Sequence, residues 1–510
     1  MGIGRRLLFA GLVFATGAVH GATAVLADPG VGPARAVADA PTVVAAIAAV
    51  PDPSKPTDDH AVGEKPAPIR YETLTVVLGG DLGFNGSLQP LVPNKAMRHG
   101  RSYYPRELTE GIVPLIKGDI VFANLETVVT DRSNLAPLDK RFVFRSHPGS
   151  IRHLVEIGFN VFGAANNHAI DYGSAGIAET LRHLEGMKDA GLLAAPGIGL
   201  GREAATAPAD VRLRTARVRI SASGIGGATA AAGSTTPTMA SYQPSVFQEV
   251  GERLRDAEGD LRILSVHFGQ ELQVRPSASD ERRLRSAALD YNIDIIAGHH
   301  AHVAAGVQDV EGRIIFYGLG NLLHPGMQDM GRFNACRDFG LMARVHLWRV
   351  PGKRFEVRAI EVMALRDMHL APRLRAGEEG RRRIDVLNAH AAGLDDRASG
   401  ARGVRFVSMP DGTGLYCAAD AQSQNDEIGR RCSDIGRQII AVAERPISRA
   451  CGADASVMAA GGGETVRGRH VASGASLVQP SNKGRTVAKP ARRQAAGDGR
   501  FFPLDGRLNP

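Results

Sequence analysis

One stretch limits the possible folds more than any other: IDIIAGHHAHVAAGVQDVEGRIIFYGLGNL, from Ile293 to Leu322. The apolar run Ile293 to Ala297 reads as a buried strand that stops at Gly298, and His299, His300 and His302 follow at once. A second apolar run, Ile314 to Leu319, stops at Gly320 and Asn321. Strands that end at glycine and deliver imidazoles or an amide at their tips are how an α/β protein builds a site at the carboxyl ends of its sheet. A surface His-rich loop is the plain alternative. Three histidines in four positions directly after a hydrophobic strand point instead to a transition metal, which neutral imidazole suits.

The same pattern of strand, small residue and ligand recurs along the chain. LTVVLGGDLGFNG reads as a strand, a tight turn at Gly79 and Gly80, and a carboxylate, Asp81, at the strand exit. In IVFANLE the strand ends at Asn124 and Glu126, and Glu126 sits where a carboxylate bridging two metals would. A helix carrying Ile151, Leu154 and Val155 leads into the strand NVFGAA and the loop ANNHAIDYG. There Asn167 offers an amide oxygen, and His168 lies near enough to Asp171 for the carboxylate to orient it as a general acid. LRILSVHFGQEL exits into His267, with Glu271 behind it as a group that would hold a ligand imidazole. His346 reads as structural, and His324 as an outer candidate.

Six or seven candidates of mixed O and N type exceed one tetrahedral site and match two ions a few Å apart, bridged by a carboxylate. The expected cofactor is one or two divalent ions, Zn, Mn or Fe. The metal set is Asp81, Glu126, Asn167, His267, His300 and His302, with His299 and Glu271 less firmly included; His168 and Asp171 are the catalytic pair. The expected reaction is metal-assisted hydrolysis of a phosphoester or related anionic group.

Six motifs in order carry a family resemblance: GGD at Gly79 to Asp81, ANLE at Ala123 to Glu126, ANNHAIDYG at Ala165 to Gly173, HFGQEL at His267 to Leu272, GHHAH at Gly298 to His302 and YGLGNLL at Tyr317 to Leu323. Over roughly residues 72 to 370 the chain resembles the CapA group, capsule or poly-γ-glutamate synthesis proteins with a calcineurin-like metallophosphatase fold. The resemblance implies a four-layer α/β/β/α sandwich with two mixed sheets and metals at the strand ends. It also implies that Asp81 ligates the first metal, Glu126 bridges, Asn167 ligates the second, and His168 is the catalytic imidazole. His267 is a further ligand, and the terminal His-x-His falls on His300 and His302, with His299 an alternative to His300. The usual Asp-x-His opening is absent because residue 83 is Gly, and the Pro often found in the His-rich motif is Ala301. Implied partners are an anionic surface polymer or phosphorylated substrate and a membrane-bound polymer synthase complex. A non-hydrolytic polymer-binding or assembly component is the alternative.

Composition adds the frame. The formal charge of +8 is modest for 510 residues, and no basic and aromatic interleaving marks a nucleic-acid track, so no nucleic-acid partner is expected. Arg5 and Arg6 followed by LLFAGLVFATGAV and small-residue exits read as a signal peptide over residues 1–27, implying export to the periplasm or cell envelope. Residues 28–70 read as a flexible spacer, 71–370 as the metallophosphatase-like domain, 371–420 as an extension, and 421–510 as a disordered low-complexity tail. Cys336, Cys417, Cys432 and Cys451 allow three pairings, among which the sequence does not choose.

Overall fold

The computed structural model describes residues 70–84, 92–93, 102–325, 329–396 and 398–436 of the chain. The chain divides into two units, Met1–Ala67 and Pro68–Pro510, and all described residues belong to the second. The expected signal peptide and the spacer up to residue 69 therefore lie outside the described residues, as does the tail beyond 436. Among the described residues, no helix is long and apolar enough to cross a membrane.

The fold is mixed α/β, built on two large sheets. Strands β1 (Glu72–Leu82), β2 (Ile120–Leu125) and β3 (Val161–Gly163) run parallel, with β2 central among them. Helix α1 (Pro148–Glu156) precedes β3, and α2 (Gly173–Glu185) follows the loop after it. The chain then builds a second sheet. An edge hairpin, β4 (Ala209–Arg212) and β5 (Arg217–Gly224), is followed by α3 (Pro244–Asp256) and the parallel strand β6 (Leu261–His267). After α4 (Ala278–Asp290) come β7 (Ile295–His299), parallel to β6, and the hairpin β8 (Val307–Val310) and β9 (Arg313–Phe316).

Next the chain crosses back to the first sheet. β10 (Asn321–Leu323) lies parallel beside the end of β1, and β11 (Gly340–Arg349) and β12 (Glu356–Arg366) extend that sheet antiparallel from β1. After the two-residue β13 (Arg373–Leu374) and helix α5 (Gly377–Ala392), β14 (Arg402–Gly403) returns to pair with β8. β15 (Val407–Ser408) and β16 (Gly414–Cys417) then join the first sheet beside β12. The strand orders are β15-β16-β12-β11-β1-β2-β3 and β14-β8-β9-β7-β6-β5-β4.

Alternation along the strands explains the packing. Leu261 and Ile263 of β6 share one buried cluster with Val76 and Leu78 of β1 and Phe122 of β2, so the two sheets face each other. Leu264 and Val266 point the other way, into a cluster with Val250 and Leu254 of α3 and Leu284 and Ala288 of α4. Strands buried on both faces read as continuous apolar runs, which is what the sequence shows for β6 and β7.

Three expectations change. Gly79 and Gly80 do not form a turn: β1 continues through both to Leu82. Their role is close approach, because a Cβ on Gly80 would lie 1.9 Å from the Gly320 carbonyl oxygen. Asn321 is not the tip of the strand before it; it opens β10 in the opposite sheet. The expected tail from 421 begins with an ordered helix, Glu427–Ile435. A Cys417–Cys432 disulfide and the Arg358–Asp426 ion pair hold that helix against β16 and β12.

Candidate metal centre

The parallel strands of both sheets point their carboxyl ends at one buried region. In the sheet register Asp81 neighbours Asn124 on one side and Asn321 on the other, and His267 neighbours His299. Two carboxylates, Asp81 and Glu126, are thus fully buried among the imidazoles of His267, His299, His300, His302 and His324. The backbone is strained where two of these enter: φ is 85° at His300 and 57° at His302. Non-glycine residues held in this region cost energy and cluster at functional sites.

Two donor groups share one carboxylate. Glu126, His267 and His300 form one, Asp81, Glu126 and His302 the other, and within each group the ligand atoms lie within 4.8 Å of one another. His267 Nε2 is 3.4 Å from Glu126 Oε1 and 2.7 Å from Asn167 Oδ1, which brings Asn167 to the first group. His302 Nδ1 is 3.2 Å from Asp81 Oδ2 and 2.8 Å from Asn321 Oδ1. With a proton on Nδ1 shared between those oxygens, Nε2 of His302 carries the free lone pair. Among the described residues, neither Glu126 oxygen makes a hydrogen bond, nor does Nδ1 of His300. Buried acceptors without donors are costly unless a cation satisfies them. The donor set fits one or two divalent ions.

Ionisation follows the same crowding. Burial pushes the Glu126 carboxyl up to about 8, and the neighbouring Asp81 charge adds to the shift. Burial also raises Asp81, but the hydrogen bond and charge of His302 outweigh it and hold that carboxyl below the usual range. His302 is pushed up to about 10, the charges of Glu126 and Asp81 overcoming its burial. Burial lowers His299 and His300 to about 4, so both imidazoles are neutral near pH 7. Protons retained on Glu126 and His302 are those a divalent ion displaces.

His168 and Asp171 meet as expected: His168 Nδ1 is 2.7 Å from Asp171 Oδ2, and its Nε2 faces Glu126 Oε1 at 3.9 Å. Glu271 does not join the donors. It is exposed, makes no hydrogen bond to an imidazole among the described residues, and reaches His300 and His302 only through its charge. His299 belongs to neither donor group; its Nδ1 is 3.5 Å from Asp81 Oδ1.

Several participants escape sequence reasoning. Lys140 donates to Asp171 Oδ1 and to the Asn167 carbonyl (2.7 Å), and the Phe144 N–H donates to Asp171 Oδ2 (2.6 Å). The Phe144 ring stacks on His168 with centroids 3.9 Å apart. Asn124 donates one amide to Asp81 Oδ1 (2.8 Å) and lies 3.1 Å from His267 Nδ1, tying a carboxylate of one sheet to an imidazole of the other. The ANLE motif contained Asn124 but assigned it no task. Lys140 and Phe144 sit in a loop with no hydrophobic periodicity to mark it. A third donor group, Asp131, Glu179 and His183, is more exposed, and its Glu179 is already paired with Arg132 and Arg182.

Residues 75–325 match the family model described as bacterial capsule synthesis protein PGA_cap. Over these residues the chain is similar to the CapA/PGA_cap family. It is 30% identical over 249 residues to the PGA biosynthesis protein CapA of Bacillus subtilis (strain 168), covering 48% of this chain and 62% of that protein. It is 29% identical over 272 residues to the capsule biosynthesis protein CapA of Bacillus anthracis, covering 51% and 62%. The match thus spans less than two thirds of either CapA. The probable polyglutamine synthesis accessory protein Rv0574c of Mycobacterium tuberculosis (strain ATCC 25618 / H37Rv) is 25% identical over 285 residues, 49% of this chain and 74% of that protein. Among solved structures, a hypothetical protein from Thermus thermophilus has a TM-score of 0.32 at 15% identity, covering 57% of this chain and 99% of its own. The purple acid phosphatase PPD1 of yellow lupin has a TM-score of 0.27 at 10% identity, covering 61% and 55%.

Proposed function

We propose that this chain is an exported, periplasmic or envelope-associated protein of anionic surface-polymer synthesis, of the capsule or poly-γ-glutamate type. In this reading it is a metal-dependent hydrolase acting on a phosphoester or polymer bond. The metal ligands are Asp81, Glu126, Asn167, His267, His300 and His302, on a four-layer α/β/β/α architecture. The observation that carries it is the convergence of the His168–Asp171 pair on Glu126, the carboxylate common to both donor groups. Divalent ions bound there supply Lewis acidity and an activated water. Asp171 and the stacked Phe144 ring orient His168 so that Nε2 can hand a proton to a leaving oxygen. Lys140 balances the buried Asp171 charge.

The test is His168→Ala in the full chain, assayed on phosphomonoesters and phosphodiesters alongside elemental analysis. Turnover should fall about 100-fold or more with the metal retained; unchanged turnover refutes the role. A second reading, a non-hydrolytic component that binds polymer or a membrane synthase, draws support from the accessory designation of the Mycobacterium tuberculosis relative. Copurification with an envelope complex that depends on the ligand cluster, without hydrolysis by the wild type, would favour it.

A further inference from the structure

We infer that His324 is a protein ligand of the ion held by Asp81, Glu126 and His302. The inference rests on the metal reading above and concerns how the two ions divide the donors.

Register brings His324 to the centre. β10 runs parallel beside the end of β1, pairing Asp81 with Asn321 and Leu82 with Leu323. The Asp81 N–H donates to the Gly320 carbonyl (2.8 Å), and the Gly83 N–H to the Leu323 carbonyl (2.9 Å). On the other side of β1, the Glu126 N–H donates to the Leu82 carbonyl (2.8 Å). The next residue of β10's chain, His324, therefore emerges at the level where Glu126 emerges, and its own N–H is anchored on the Met368 carbonyl (2.8 Å). Its side chain is completely buried, and its Nε2 lies 3.4 Å from Glu126 Oε2.

The two oxygens of Glu126 thus face different imidazoles. Oε1 looks toward His267, and Oε2 toward His324. A carboxylate bridging two ions gives one oxygen to each. Oε1 goes with His267 and with the residues grouped with it, Asn167 and His300. Oε2 is then left for the other group, Asp81 and His302, to which His324 adds a second imidazole. Each ion then has two nitrogens and two oxygens from the protein, a mixed donor set suited to divalent transition ions. Residue 83, at the end of β1, is glycine and offers no side chain, so the imidazole for this side comes from the adjoining strand. The donor atoms of Asp81, Glu126 and His302 lie within 4.8 Å of one another, and His324 stands beside that group rather than in it.

The experiment is titration of the chelator-stripped, full-length protein with Co(II), read by elemental analysis and visible absorption, for wild type, His324→Phe, His324→Gln and His324→Cys. Wild type should bind two equivalents. His324→Phe and His324→Gln should keep the first equivalent and bind the second at least about 10-fold more weakly, with an altered Co(II) spectrum. His324→Cys should add a thiolate-to-cobalt charge-transfer band, which a structural role for His324 would not produce. Circular dichroism identifies any variant that fails to fold, and the other variants then carry the test. Two equivalents bound by folded variants with wild-type affinity and spectrum, and no new band, would overturn the assignment while leaving the metal centre standing. A wild-type protein that binds no Co(II) would overturn the metal reading itself, and this inference with it.

Discussion

One close approach beside the site is backbone against backbone, and a single methyl group tests it. A Cβ on Gly80 would meet the Gly320 carbonyl oxygen at 1.9 Å and the Leu319 carbonyl oxygen at 3.0 Å. Neither atom can rotate away, so β1 and the chain entering β10 must separate by more than 1 Å to reach ordinary contact. Such overpacking costs about 1–3 kcal/mol or more. The separation also breaks the hydrogen bond from Asp81 N–H to Gly320, adding about 1 kcal/mol. Gly80→Ala should therefore lose about 2–4 kcal/mol or more in urea unfolding. It should also lose metal, because Asp81 is the next residue. Gly79→Ala is the control one position earlier. Its Cβ would meet Leu322 Cδ2 at 2.8 Å, the far end of a side chain that can turn, and the Phe122 carbonyl at 3.3 Å. It should cost about 1 kcal/mol and keep its metal. Equal stability and metal content in the two variants would refute the argument that close approach, rather than a turn, explains the glycine pair.

Lys140→Met removes the cation from a fully buried Asp171 carboxylate. Because Lys140 is 29% exposed, the loss should be about 2 kcal/mol, below the value for a wholly buried pair, and turnover should fall with metal content unchanged; Lys140→Arg should restore part of both. Asn124→Ala unties Asp81 from His267 and should weaken metal binding about 10–100-fold by isothermal titration, with little change in the His168–Asp171 geometry. His390, on α5, is held at about 4 by burial, with Arg275 and Arg337 adding to the shift. A histidine depressed below its unfolded value of about 6.5 contributes stability above that pH and loses it as pH falls toward 4. From pH 7 to pH 5 the wild type should therefore lose roughly 2 kcal/mol more than His390→Gln in denaturant titrations; parallel pH curves would show that His390 does not titrate in the fold.

What was legible in the sequence was local. His299 ends β7 and His300 and His302 follow it closely, and Asp81, Glu126 and His267 each stand at or just after the end of an apolar strand. A strand's carboxyl end can be recognised from the residues that form it, so these candidates needed no knowledge of the partner strand. The His168–Asp171 pair was equally local, since a single turn of loop brings the two together. Glu271 failed for the converse reason: it is near His267 in sequence, but the chain turns at Gly269 and Leu272, both with positive φ, and leaves it exposed.

What was not legible depends on which strands become neighbours. Nothing around Asn321 says that the chain changes sheets there, because Ile314 to Leu319 continues into it as one apolar run. Only the pairing of β10 with β1 explains why Gly80 must lack a side chain and why His324 arrives beside Glu126. The same holds for Lys140, whose loop has no periodic pattern and acquires meaning only from the buried carboxylate it neutralises. The ligands at the strand ends could be found by reading each segment alone. The residues that orient them, Asn124, Asn321 and Lys140, act across elements distant in sequence, and so does His324. Substituting these four tests the proposal at two levels: under it, the strand-end candidates should decide whether metal binds, and the cross-element residues how tightly it binds and how the imidazoles are presented.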